Sequence, residues 1–266
     1  EWRRFWWLPV AGAVGYSTFA LQNYAIGPFV IPLEQEFGWS RAEVMWGFTL
    51  SNLIGVFFNL AVGVLIDRIG TRVAGITGLF LKTGAIALLA TATGTMLNWT
   101  LLWTLVAIGA LLIQSTVWTK LVSVRFDKGR GLALATALSG SSIAAFIVPV
   151  LATKLIADYG WRAAFPGVAA IWLLVALPIV WLFYRDSGGK PGAAASAAEP
   201  APRELPGLTL AEGMRSRVFW CLFASSMSYS IYAVAMAPNL VPLLVGKGQT
   251  AMAAAGTPAS RSSPIV

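Results

Sequence analysis

Three charged side chains, Asp67, Arg68 and Arg72, crowd into the stretch GVLIDRIGTR that runs from Gly63 to Arg72. Apolar runs flank it on both sides, and the preceding one, Val44–Ile66, holds 23 residues without a charge. A carboxylate and two guanidinium groups at this spacing keep a tight turn in water. They also leave one acid free to face a helix end or a base. A second basic group of residues, Arg125, Lys128 and Arg130, opens another apolar run and is followed by Gly140. Lys82 stands alone inside an apolar run. The chemistry that is missing is equally informative. The chain has no His and a single cysteine, Cys221, so it has neither a His metal site, a His proton relay nor an internal disulfide. No nucleophile–base or metal-ligand cluster is apparent, which argues against an enzyme and implies no cofactor.

The elements that carry these residues follow from composition. Of 266 residues 57% are hydrophobic and 11% charged, against about 25% charged in a soluble domain. Uncharged runs extend over Phe5–Leu33, Val44–Ile66, Thr83–Thr119, Gly131–Thr153, Ala163–Tyr184 and Val218–Gly246. Since about 20 apolar residues cross a bilayer core, the fold class is an all-α, polytopic membrane protein whose first partner is the lipid bilayer. We place seven spans at about 5–33, 44–66, 71–93, 97–119, 131–156, 162–184 and 218–245. Capping boxes at Ser40–Glu43 and Thr209–Glu212 mark helix starts, and Gly38 and Gly160 mark helix ends. Gly27, Pro28 and Pro32 are expected to bend or break the end of the first span. Trp2, Trp6, Trp7, Trp39, Trp99 and Trp161 lie near run ends and suit interfacial belts. The net charge of +8 resides in short segments between runs, with no basic helical face, so nucleic acid is not an expected partner.

With the N-terminus in the cytoplasm, thirteen Lys and Arg fall in inside segments and four in outside ones. That asymmetry sets the orientation of a protein of the cell (inner) membrane. Arg3 and Arg4 then precede an uncleaved first span, and the start at Glu1 in place of Met suggests a trimmed N-terminus. The chain divides into a six-helix bundle (1–186), an Ala/Pro/Gly-rich cytoplasmic linker (187–207), an interfacial segment with a seventh span (208–245) and a tail (246–266). The tail shows no helical apolar period and reads as unstructured and frameshifted.

The residues Gly63, Leu65, Asp67, Arg68, Gly70 and Arg72 resemble the loop signature G-x-L-x-D-R-x-G-x-R of the major facilitator superfamily, at its place between the second and third helices. The stretch from Arg125 through Phe126, Lys128, Arg130 and Leu132 to Gly140 is similar to the fifth-helix entry of that family's monocarboxylate-porter-like branch. Residues 28–33, 37–41 and 159–162 are also similar to bacterial members of the branch. The resemblance implies twelve helices in two halves around a midplane cavity, with small organic solutes, carboxylates among them, carried by alternating access. It implies that Asp67 faces a helix N-terminus of the other half as a charge–dipole latch, and that Gly70 allows the turn. It also nominates cavity residues on the first, fourth and seventh helices: Gln22, Asn23 and Tyr24; Gln114, Ser115 and Thr119; Ser226, Tyr229, Ser230 and Tyr232. The chain departs from the family in lacking an arginine within 97–119. No Asp, Glu or His lies inside any of the seven spans. Lys82, eleven residues after Thr71, sits about 16 Å along its helix. We expect it to snorkel, with a solute-anion contact as the alternative.

The leading function is a secondary carrier of small organic solutes. Its rival is a truncated, non-transporting half of such a carrier, which would need a missing C-terminal half or self-association. A seven-helix receptor is disfavoured by the loop signature and the linker. The charge count makes the orientation testable. In a Cys221→Ala background, a cysteine at Ala195 should resist an impermeant thiol reagent added outside intact cells, and one at Gln35 should react. Labelling of position 195 from outside would reverse the topology.

Overall fold

The structure, a computed structural model, describes residues 1–184 and 214–247, apart from the side chains of 229, 233–235 and 237–238. The linker, the Thr209–Glu212 capping box and the tail beyond 247 lie outside the described residues. Helices account for nearly all of what is described. They are α1 (Trp2–Phe5), α2 (Trp7–Phe37), α3 (Arg41–Ile69), α4 (Thr71–Leu88) continued by a 3-10 turn (Leu89–Thr91), α5 (Met96–Leu111), α6 (Ser115–Arg125), α7 (Arg130–Leu138), α8 (Gly140–Phe183) and α9 (Arg217–Gly246). Among the described residues four stretches are long and apolar enough to cross a bilayer: Arg41–Ile69, Thr71–Thr91, Met96–Arg125 and Arg130–Phe183. The last contains two passes, because Gly160 (φ 78, ψ 164) breaks it sharply. Arg162 near that break meets Ala90 and Ala92, whereas Trp181 meets Arg72, so the second pass runs back to the Asp67 end.

Local chemistry sets most boundaries. Ser40 and Glu43 form a reciprocal capping box at the start of α3, which satisfies two orphan N–H groups. Gly38 ends α2 with φ 67, and Gly70 turns the chain between α3 and α4 with φ 88, a value that side chains resist. Three expectations are corrected. Helix α2 does not break at Pro28 or Pro32 but continues to Phe37. The prolines remove the intrahelical N–H partners of the Tyr24 and Pro28 carbonyls, and within this segment Phe29 stacks on Phe165 with ring centroids 3.8 Å apart. The fourth span is two helices, since Leu112–Gln114 interrupts it and Gln114 is extended (φ −62, ψ 167). Finally, Trp39, Trp99 and Trp161 lie near helix ends yet face the bundle, with Trp99 fully buried and its Nε1 donating to the Val44 carbonyl at 3.2 Å.

Helix α2 is the axis of the bundle. It packs along α8 and also meets α3, α4, α6, α7 and α9, and eighteen of its residues are buried. Small residues let the neighbours approach, as they do where two membrane helices lack a hydrophobic drive between them. A Cβ on Gly140 would fall 1.8 Å from the Ala13 carbonyl oxygen, and one on Gly15 would enter the Trp118 ring. Helix α3 is the opposite case. Five of its 29 residues are buried, and Val56, Phe57 and Leu60 are at least 70% exposed. That face meets lipid or another protein element. Helix α9 packs on α2; its Val241 is buried, whereas its described residues from Val218 to Tyr232 are exposed.

At the end away from Asp67, Arg162 gathers three elements. Its Nη2 lies 2.7 Å from Glu36, its Nη1 donates to the Ala90 and Ala92 carbonyls at 3.1 Å each, and its guanidinium stacks on Trp161. The Trp161 indole N–H donates to the same Glu36 carboxylate.

The contrast between glycines gives a test. Gly140→Ala should destabilise the purified protein by about 1–3 kcal/mol or more, because backbone and not a flexible side chain must move. Gly84 has open space around its missing Cβ, so Gly84→Ala should be neutral or stabilise by up to about 1 kcal/mol. Melting temperatures in one detergent decide the comparison.

Candidate functional site

In the middle of the bundle four helices contribute polar groups to one point. Helix α2 supplies Gln22, α3 supplies Ser51, α4 supplies Lys82 and α5 supplies the Val106 carbonyl. Lys82 is fully buried, and Gln22 and Ser51 are about 5% exposed. The Lys82 ammonium donates to the Gln22 side-chain oxygen and lies 3.5 Å from the Val106 carbonyl. Ser51 Oγ is 3.5 Å from the same Gln22 oxygen. The expected snorkelling of Lys82 is therefore wrong. An ammonium in an apolar interior needs acceptors, and here a glutamine amide and a backbone carbonyl supply them. Gly109 lets α5 come close to α4 at Lys82. A Cβ on it would stand 2.7 Å from Lys82 Cα, so α4 and α5 touch through backbone at this level.

The nominated cavity residues distribute unevenly around this point. Asn23 and Tyr24 follow Gln22 on α2 and are partly exposed. Gln114 and Ser115, also partly exposed, occupy the break between α5 and α6, and Thr119 donates to the Ser115 carbonyl at 2.9 Å. Ser226 and Ser230 are exposed, and Ser230 donates to the Ser226 carbonyl of its own helix at 2.8 Å. Tyr232 is 60% exposed, and the Tyr229 side chain is not among the described ones. The structure thus brings Gln22 together with Lys82 and Ser51, and it leaves the α9 serines outside that group. Sequence reading missed Ser51, whose only signal is a hydroxyl in an apolar run.

The loop motif forms a separate site. Asp67 Oδ1 lies 2.6 Å from Lys120 Nζ, joining the end of α3 to α6. The pair borders a cavity of about 360 Å³ lined in part by Asn59, Gly63, Gln114 and Thr116. A Cβ on Gly63 would meet nothing within 4 Å, so packing among the described residues leaves room for at least an alanine there. Arg72 donates to the Trp181 carbonyl at 3.2 Å and stacks over that indole, tying the start of α4 to the end of α8. Arg68 is exposed in the last turn of α3. Of the fifth-helix residues, Phe126 is buried with Trp2 edge-on at 5.3 Å, Lys128 and Arg130 are exposed, and Gly140 is buried.

The backbone before α7 holds an anion. The N–H groups of Gly129, Lys128 and Asp127 donate to the Glu1 carboxylate at 3.1, 3.2 and 3.3 Å. These bonds, that of Gly129 foremost, hold the Glu1 carboxyl below its usual range. Because the folded value is lowered, the contact is at full strength above the ordinary carboxylate pKa and is lost as pH falls through the lowered one.

A family model described as Major Facilitator Superfamily matches residues 12–260. Over 136 residues the chain is 27% identical to a protein named monocarboxylate transporter 9 from Gallus gallus, an alignment that covers 51% of this chain and 27% of that protein. The matched part thus spans little more than a quarter of the relative's length.

The Asp67–Lys120 pair is exposed to solvent on both sides, so each of Asp67→Asn and Lys120→Met should change unfolding free energy by less than about 1 kcal/mol. A double-mutant cycle by thermal unfolding in detergent measures the coupling. Several kcal/mol would make the pair a structural clamp and remove any reason to expect it to switch partners.

Proposed function

The chain belongs to the major facilitator superfamily, and on that premise we propose that it forms one half of a secondary carrier that moves small organic solutes, carboxylates among them, by alternating access. The protein is a multi-pass membrane transporter and not an enzyme. The carboxylate reading draws support from the relative whose name refers to monocarboxylate transport. The observation that carries the proposal is the group formed by Gln22, Ser51 and Lys82, which buries a lysine inside a largely apolar bundle. Polar and ionisable residues are costly there and concentrate at solute and ion paths. The exposed apolar face of α3 suits docking of a second half, supplied by a missing C-terminal segment or by a second copy of the chain. In this reading Asp67 exchanges Lys120 for a helix end of that half as access alternates. The N-terminus and the Asp67 turn face the cytoplasm of an inner membrane.

A second reading, that this polypeptide is a half without transport activity, is favoured by α9, whose described residues from Val218 to Tyr232 are exposed.

Liposomes carrying the purified chain, assayed with radiolabelled monocarboxylates and with neutral and cationic solutes, separate the two. The carrier reading expects saturable uptake above empty vesicles, and Asp67→Asn should reduce its rate at least about tenfold while membrane insertion is retained. Uptake indistinguishable from empty vesicles would favour the inactive half. Normal uptake by Asp67→Asn would leave the loop as a turn only.

A further inference from the structure

We infer that Lys82 is a positioning residue: it holds the Gln22 amide so that the NH2 group, and not the oxygen, is offered to the solute. This makes Gln22 the hydrogen-bond donor to a carboxylate. The inference rests on the reading of the bundle as half of an organic-anion carrier and assigns the anion contact within it.

The orientation of the amide follows from the donor inventory. A lysine side-chain nitrogen has hydrogens to donate, so the Gln22 atom beside it is the oxygen. Ser51 Oγ approaches the same oxygen at 3.5 Å. Two donors thereby occupy the two lone pairs of one carbonyl oxygen. The amide is planar, so Nε2 and its two N–H groups are directed away from Lys82. Among the described residues Nε2 makes no hydrogen bond, and it is not one of the buried atoms left without a partner, so this atom of a largely buried Gln22 keeps an accessible face. A carboxylate oxygen arriving at this donor makes a charge-assisted hydrogen bond. An amine, which brings only donors, does not.

The lysine itself is held firmly enough for this task. Its backbone is wedged against α5 at Gly109, where a Cβ would come within 2.7 Å of Lys82 Cα and 2.8 Å of its nitrogen. Its remaining polar neighbour is the Val106 carbonyl at 3.5 Å. Asn23 and Tyr24, the next residues on α2, are partly exposed. Without Lys82 the amide is free to rotate by 180° and present its oxygen, and the preference between an acid and its uncharged amide should collapse.

The test compares uptake of a labelled monocarboxylate into liposomes, with its primary amide as competitor. Lys82→Met should raise KM about tenfold, the equivalent of one well-placed hydrogen bond to a charged group, with kcat within about twofold, and the amide should then compete as well as the acid. Lys82→Arg, which restores a donor, should recover KM. A purely structural lysine would instead lower kcat or the folded yield with KM unaltered, and that result overturns the inference. Gln22→Glu guards against a misfolded Lys82→Met: it keeps an acceptor for Lys82 but removes the NH2 group. It should lose carboxylate uptake at an unaltered melting temperature, and unaltered KM in this variant also overturns the inference. One arm is independent of transport. In a Cys221→Ala background, Gln22→Cys should react with a membrane-impermeant thiosulfonate in liposomes. Absence of uptake by the unmutated chain would count against the carrier reading, whereas an unreactive cysteine at 22 would refute the placement of the Gln22 donor.

Discussion

A hydrocarbon surround offers no water to a polar group, and that constraint governs how this bundle is assembled around α2. A backbone or side-chain donor that leaves the surface is costly without a partner inside the protein, and buried donors left without one, such as Trp103 Nε1, are few among the described residues. Helix α2 sits where most of these demands meet. Its glycines and alanines let α7, α8 and the Trp118 ring approach to backbone distance, and its Ser17 hydroxyl accepts the Trp172 indole N–H at 3.2 Å. Its Gln22 takes the one ammonium that α4 carries into the interior. The same closeness that allows backbone contact also excludes water, so the polar groups that remain must be matched one by one.

The two ends of the bundle satisfy charge differently. At one end a single arginine, Arg162, serves a carboxylate, two carbonyls and two rings. Guanidinium geometry suits such a hub, because its fork of donors and its flat face work at once. At the other end Asp67 has one exposed partner, Lys120, beside a cavity. An exposed ion pair contributes little to stability, and for that reason it can be exchanged at little cost.

The long apolar runs, the capping box at Ser40 and the positive-φ turns at Gly38, Gly70 and Gly160 were legible in the sequence, and so was membership of the major facilitator superfamily through residues 63–72 and 125–140. These features are local. A run of uncharged residues, a serine three before a glutamate, or a glycine between two runs acts through its immediate chain neighbours. Tertiary contact alone decided that Lys82 turns inward, because the energy of an ammonium depends on which acceptor another helix brings near. It also decided that α2 passes through Pro28 and Pro32, since Phe29 stacks on Phe165 some 136 residues away in the chain. The burial of Trp99 and the pairing of Asp67 with Lys120 are of the same kind. A side chain's neighbours across helices are set by packing, and packing has no signature in the order of residues along one helix.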